Sequence, residues 1–201
     1  MRVASLPVKA VRVRQVGLGL MLASWFLLLF PSLANANTAD ALEPPEALVG
    51  ESDTQRMDRL VEYIERRYPV TAEQATVIVR QAFELGRRDD LDPELILAVI
   101  AIESTFRPTV VSRAGARGLM QVIPKWHPTK VQEIGGSQAL FDPEKNIYAG
   151  TKILLDYLRA QRGDLRRALL KYNGSLSNPA SRYADKVLSY LRRLQQIAGS
   201  S

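Results

Sequence analysis

The chain reads as a mainly α-helical domain with at most a small β-hairpin. Three observations predict this. From Thr54 onward, apolar residues recur at the three- and four-residue spacing of one helix face. Helix-start devices recur along the same stretch, as Thr71-Ala-Glu-Gln74, Asp92-Pro93, Asp142-Pro143 and Asn178-Pro179. Strand signals are weak, and only the region 109–123 has room for a hairpin.

The N-terminus comes first in the chain and reads as an export signal. Residues 2–14 are basic, and Val16 to Phe30 form an apolar run of 15 residues. PSLANANT follows, with Ala34 and Ala36 in the small-residue pattern of a cleavage site. The run is shorter than the roughly 20 residues a spanning helix prefers. Residues 1–36 are therefore expected to be a cleaved signal peptide, with an uncleaved inner-membrane anchor as the alternative. This places the protein in the periplasm or outside the cell. Residues 37–53 hold five acids and no base, with Pro44-Pro45 and Gly50, and read as an acidic linker.

The domain is expected over 54–201, with its firmest part at 88–195. Met57, Leu60, Val61 and Ile64 mark a first helix over about 54–67, which Pro69 breaks. The capping box at Thr71 opens a second helix running to about Gly86. Asp92-Pro93 opens a third, over 93–104, and Pro108 forces a stop. Asp142-Pro143 opens a helix with Ile147, Ile153, Leu154, Tyr157 and Leu158 on its apolar stripe, ending near Gly163. Asp164 caps a short helix into KYNGS, and Asn178-Pro179 starts a last helix through Val187, Leu188, Leu191 and Leu194.

Composition excludes several function classes. With no cysteine, there is no disulfide, thiol catalysis or cysteine-based zinc site. A single histidine, His127, excludes a multi-histidine metal cluster. Four of the six net positive charges come from Arg2, Lys9, Arg12 and Arg14, with no acid before Asp40. The rest of the chain is thus close to neutral and shows no basic stripe, so no nucleic-acid partner is expected. No cofactor is called for.

One feature stands out against this frame. The apolar run LILAVIAI reaches Ile102 and then meets Glu103 and Ser104. Two helical turns return position 103 to within about 20° of position 96, so Glu103 lies on the stripe of Ile96, Val99 and Ile100. A carboxyl there is desolvated and also sits at the negative end of the helix dipole, and both favour its protonated form. That suits a general acid. The alternative is a buried glutamate paired with an arginine such as Arg113 or Arg117.

Further motifs extend the pattern. Ser112 to Gln121 read SRAGARGLMQ, 146–150 read NIYAG, 172–174 read YNG, and Tyr183 stands near the start of the last helix. In this order, with Glu103-Ser104 before them, they resemble the soluble-type lytic transglycosylases of the lysozyme-like superfamily. The resemblance implies an α+β lysozyme-like fold and cleavage of the β-1,4 bond between N-acetylmuramic acid and N-acetylglucosamine in peptidoglycan. Glu103 would act as general acid and then as base, closing a 1,6-anhydro ring on the muramic acid. It implies no metal and no second carboxylate, and Glu94, nine residues earlier in the sequence, is expected to face away.

The resemblance also assigns roles. Ser104 would bind substrate or orient the acid, or simply end the helix. Met120 would floor the cleft under the sugar, with core packing as the other reading. Gln121 and Tyr172 would reach sugar hydroxyl or acetamido groups. Asn173 would hold its loop beside the substrate, Tyr183 would join the site, and Trp126 and His127 would line an outer subsite or the plain surface. The chain departs from the family pattern at Lys171, where a small residue is common. Other members hydrolyse the bond, as goose-type muramidases do, and a non-catalytic wall-binding module is the third possibility. A secretion, flagellar or conjugation assembly is an expected partner beside the glycan strands.

Overall fold

The computed structural model describes residues 50–199, with side chains from Asp53 onward. The apolar run, the cleavage site after Ala36 and residues 37–49 of the expected linker lie outside the described residues. All described residues belong to one unit spanning Ala47–Ser201.

Seven α-helices follow in order among these residues: α1 (Gly50–Arg67), α2 (Ala72–Asp89), α3 (Pro93–Glu103), α4 (Pro128–Glu133), α5 (Pro143–Ala160), α6 (Leu165–Tyr172) and α7 (Tyr183–Gly199). Short 3-10 turns at Pro124–Trp126 and Ser137–Phe141 flank α4. There is no sheet among the described residues. Two isolated antiparallel bridges, Val111 with Arg117 and Arg117 with Val122, are all that region 109–123 forms.

The caps read from sequence are made. Thr71 and Gln74 exchange both capping-box hydrogen bonds, and Asp92, Asp142 and Asp164 each accept a backbone N–H in the first turn of their helices. Three boundaries differ. Helix α1 begins at Gly50, inside the stretch read as linker. Helix α2 runs past Gly86 to Asp89 and ends on Asp90 in the left-handed region, at φ 52°. Gly86 permits a close approach instead of a stop, because a Cβ there would lie 2.7 Å from the Leu91 carbonyl oxygen. Helix α7 starts at Tyr183 and not at Pro179. Asn178 spends its side chain on the Ala180 N–H, forming a local turn, and Ser181 bonds Ser175.

Helix α3 is the centre of the molecule. It packs on α2 on one side and α7 on the other, and α1 bridges those two. Leu95 through Ala101 are all at most 4% exposed, so the helix is buried on every side instead of along one stripe. Each fully buried Leu or Ile contributes about 2 kcal/mol of hydrophobic stabilisation. A second apolar cluster of Val122, Val131, Ile134, Leu140, Ala149 and Ile153 joins α4 to α5. The cleft residues lie beside this smaller cluster, which Tyr157 and Tyr172 pack against.

Candidate active site

Helix α3 is made to stop at Glu103. The Ser104 N–H still reaches the Ile100 carbonyl at 3.0 Å, but Thr105 and Phe106 then take left-handed backbone angles, at φ 51° and 62°. Two successive non-glycine residues in that region, one of them β-branched, are strained and hold only when packing enforces them. Phe106 is fully buried, with its ring centroid 4.7 Å from that of Tyr68, and this anchors the turn.

Glu103 is half-buried, and its carboxylate oxygen Oε1 accepts a 2.6 Å hydrogen bond from the Tyr183 hydroxyl. Burial pushes its carboxyl above the usual range, and the Tyr183 bond pulls the other way. The position at the end of α3 adds to the first effect, since the helix dipole disfavours negative charge there. No arginine pairs with Glu103 among the described residues. Arg117 instead donates to the Ser137 carbonyl at 3.1 Å and lies over the Phe141 ring, while Arg113 is exposed. The ion-pair reading of Glu103 is thereby overturned. Burial, and then the charge of Glu103, pushes the Tyr172 and Tyr183 phenols well above their ordinary range, so both remain neutral donors.

No second carboxylate joins Glu103 among the described residues. Glu94 sits at the opposite end of α3 and accepts from Arg56 at 2.7 Å. Asp142 and Asp164 cap helices, Asp156 pairs with Lys130 and Arg159, and Asp185 pairs with Arg166. Nor is there a group of three or more acids or histidines placed to hold a metal ion among these residues.

The SRAGARGLMQ loop is clamped from α5. Asn146, completely buried, accepts from the Met120 N–H at 2.8 Å and donates to the Arg117 and Leu140 carbonyls at 2.9 and 2.8 Å. Gly118 sits at φ 73°, where a Cβ would lie 2.2 Å from the Leu140 carbonyl oxygen and 2.3 Å from Asn146 Nδ2. A Cβ on Gly150 would lie 2.5 Å from Met120 Sδ. The NIYAG motif therefore does two jobs, one bonding the loop and one making room for its methionine. Gln121 closes the turn at φ 49° and donates from Nε2 to the Val110 and Gly118 carbonyls, at 3.2 and 2.9 Å.

A cavity of about 440 Å³ opens beside this loop, lined among others by Gln121, Trp126, His127, Tyr157, Tyr172 and Asn173. Glu103 does not line it. Tyr172 is the link, because its ring faces the cavity while its hydroxyl turns inward to the Met120 carbonyl at 2.8 Å, within the electrostatic reach of Glu103. Tyr157 meets Tyr172 and His127 edge-on, with centroids 6.4 and 6.1 Å apart, forming a continuous aromatic wall. Trp126 stands 67% exposed at this cavity, a surface on which a sugar ring can stack.

Two expected substrate contacts are placed elsewhere. Ser104 is 1% exposed and its hydroxyl donates to the Ile100 carbonyl at 3.2 Å, so it ends the helix and cannot meet a sugar. The Met120 side chain is completely buried against Gly150, beneath the cleft and not on its floor. Tyr183 touches the acid itself. Asn173 is exposed on the cavity, and its side chain has no partner among the described residues. Sequence reasoning missed Tyr157, which was absorbed into the apolar stripe of α5, and Asn146. The signal for Tyr157 is a polar atom on an otherwise apolar helix face, whereas Asn146 opens the NIYAG motif, which names the residue without naming its job.

The model of the family described as "Transglycosylase SLT domain" matches residues 80–186. A protein named transglycosylase from Enterobacteria phage PRD1 is 36% identical over 116 residues, covering 56% of this chain and 41% of the phage protein. A membrane-bound lytic murein transglycosylase C from Mannheimia succiniciproducens is 34% identical over 131 residues, covering 62% of this chain and 33% of that protein. The chain thus spans less than half the length of these relatives. Among solved structures, an inactive mutant of the lytic transglycosylase Slt from Pseudomonas aeruginosa superposes with a TM-score of 0.54 at 21% identity, over 66% of this chain and 25% of the other. That likeness supports the mainly helical, lysozyme-like fold.

Proposed function

Because this chain belongs to the transglycosylase SLT domain family, we propose that it cleaves the β-1,4 bond between N-acetylmuramic acid and N-acetylglucosamine in peptidoglycan, as a lytic transglycosylase. The observation that carries this reading is Glu103, a half-buried carboxyl with no cation beside it among the described residues and the Tyr183 phenol donating to it at 2.6 Å.

The chemistry follows from that environment. Protonated Glu103 gives its proton to the glycosidic oxygen as the bond from C1 breaks. The resulting carboxylate then takes the proton from the C6 hydroxyl of the same muramic acid as that oxygen bonds to C1. The anhydro ring closes, the carboxyl is restored, and no water is consumed. An intramolecular nucleophile needs no separate positioning. A single group serves as acid and base when its pKa lies near the working pH, and the raised Glu103 carboxyl moves in that direction. Tyr183 supports the ionised state between the two steps, while in the adjoining cavity Tyr172 offers its ring face and Asn173 its amide to the sugars.

Export suits this reading. The basic, apolar and small-residue segments before residue 37 support placement in the periplasm or outside the cell. Among the described residues no helix is long and apolar enough to cross a membrane. A secretion, flagellar or conjugation assembly is the partner to seek, by pull-down of the chain from cells.

The test is a digest of purified sacculi by the wild-type chain and by Glu103→Gln, with products read by mass spectrometry. Muropeptides one water lighter than hydrolytic products, absent with the variant, are expected. Hydrated reducing ends would mean a hydrolytic muramidase instead, and an active variant would remove Glu103 from the mechanism.

A further inference from the structure

We propose that Lys171 is a carboxylate-recognition residue of the cleft, gripping the anionic group that each muramic acid carries on its lactyl arm. The inference rests on the transglycosylase reading above and adds a specificity element to it.

The observations concern how this chain treats its lysines. Three described lysines are half-buried on the domain body: Lys130, Lys152 and Lys171. Lys130 meets Asp156 at 3.1 Å and Lys152 meets Asp89 at 2.9 Å. Lys171 has no carboxylate partner among the described residues. It lines the 440 Å³ cavity next to Tyr172 and Asn173, and its ammonium sits over an aromatic face, 5.3 Å from the centroid of the Tyr157 ring. That ring belongs to the aromatic wall, so the cation is held inside the cleft and not released to solvent. Asp156, next to Tyr157 in the chain, already serves Lys130 and Arg159. Burial holds the neighbouring His127 below its ordinary value, so it does not crowd the site with a second charge near neutral pH.

A partly desolvated ammonium without a counter-ion is an unfinished interaction. Its natural complement is a carboxylate delivered by the substrate, bound through a charge-assisted hydrogen bond. Glucosamine units of the glycan are neutral, whereas muramic acid units carry the lactyl arm. When that arm bears no peptide its own carboxylate is free, and when it bears one the peptide supplies carboxylates. The shared chemistry is a carboxylate carried by the lactyl arm or by the peptide attached to it. The exposed Asn173 amide, beside Lys171 on the same cavity, is placed to donate a further hydrogen bond to it. Lys171 then selects muramyl units over neutral ones and sets the register of the strand relative to Glu103.

The test is binding to the full chain carrying Glu103→Gln, so that ligands persist, followed by calorimetry and by tryptophan fluorescence with Trp25→Phe added so that Trp126 alone reports. Three ligands are compared: chitotetraose, the glucosamine–muramic acid tetrasaccharide without peptide, and the same tetrasaccharide with its peptides. Adding Lys171→Ala is expected to weaken the carboxylate ligands about tenfold relative to chitotetraose, the size of one charge-assisted hydrogen bond. Lys171→Arg is expected to retain the preference. A loss confined to the peptide-free ligand assigns the lactyl carboxylate, and a loss confined to the peptide-bearing one assigns the peptide. An unchanged ratio of charged to neutral affinity in both Lys171→Ala and Lys171→Gln overturns the proposal, as does a chain that binds none of the three ligands. The two readings fail separately, since missing anhydro products from the wild type strike the reaction and an unchanged affinity ratio strikes Lys171.

Discussion

The two ends of α3 each carry a glutamate, and the fold treats them in opposite ways. Glu94 lies in the first turn, where the helix dipole favours a negative charge, and is 1% exposed. It accepts from Arg56 at 2.7 Å, and Arg56 is shared with Asp53 at 2.9 Å. Burial and the Asp92 carboxylate push Glu94 up to about 7, against the pull of Arg56. Glu103 lies in the last turn, where the dipole opposes the charge, and its one side-chain partner among the described residues is a neutral phenol. Both carboxyls are raised by burial. Among the described residues only Glu94 has a cation beside it, and only Glu103 neighbours, through Tyr172, the aromatic-walled cavity. A raised carboxyl is thus not by itself a sign of catalysis. The lack of a cation and the open side of the site separate the catalytic candidate from the structural one.

The largest effect expected from this contrast is at Glu103. Glu103→Gln should lower turnover of sacculi by about 10³-fold or more, with an unfolding midpoint at or above that of wild type, because the variant removes a buried ionisable carboxyl and keeps the shape. Calorimetry beside the mass-spectrometric assay checks both halves.

Next comes Arg56→Met, which leaves Glu94 buried without its cation. We expect a loss of about 2 kcal/mol, below the roughly 3–5 kcal/mol for breaking a fully buried pair, because Arg56 is one-third exposed. Turnover per folded molecule at 25 °C should not change. A fall in turnover would show that the two ends of the helix are coupled.

Tyr183→Phe sharpens the other end. Removing a donor to the carboxylate raises the Glu103 pKa further, since the bond favours the ionised form. A general acid works while protonated, so the alkaline limb of the rate–pH profile should move to higher pH. The maximal rate should fall about tenfold, the size of one hydrogen bond to a charged group. A lowered rate with an unmoved limb would assign Tyr183 to packing alone.

A separate effect is on stability against pH. A carboxyl raised from 4.5 to about 7 on folding keeps its proton in the native state while the unfolded chain loses it. Its contribution is greatest below 4.5 and declines as pH rises to about 7. Glu94→Gln should flatten that part of the urea-denaturation profile, and an unchanged slope between pH 5 and 7 would place the effect elsewhere.

The glutamate contrast also marks what the sequence could show. Helix starts were legible because a cap is a local device, and Thr71, Asp92, Asp142 and Asp164 all act within three residues of themselves. Asn178-Pro179 carries the same signature, yet there the side chain satisfies a turn instead of a helix. The 3-10 turns and α4 around 124–141 escaped notice because so short a helix shows too little period to read. Glu103 was legible as a carboxylate at the end of an apolar run. Its partner Tyr183 lies 80 residues on, and no periodicity joins them. Ser104 and Met120 belong to recognisable motifs, but a motif does not say which way a side chain points. The fold turns both inward.

The clamp on the glycine loop bears on protein engineering. Residues 112–121 look like a portable cassette, since they hold most of one motif in ten positions. Transplanted alone into another helical scaffold, they would arrive without the three Asn146 hydrogen bonds and without the clearance over Gly150 that admits Met120. The transferable unit is the loop together with the first two turns of α5, and a library that randomises one while freezing the other samples mostly misfits.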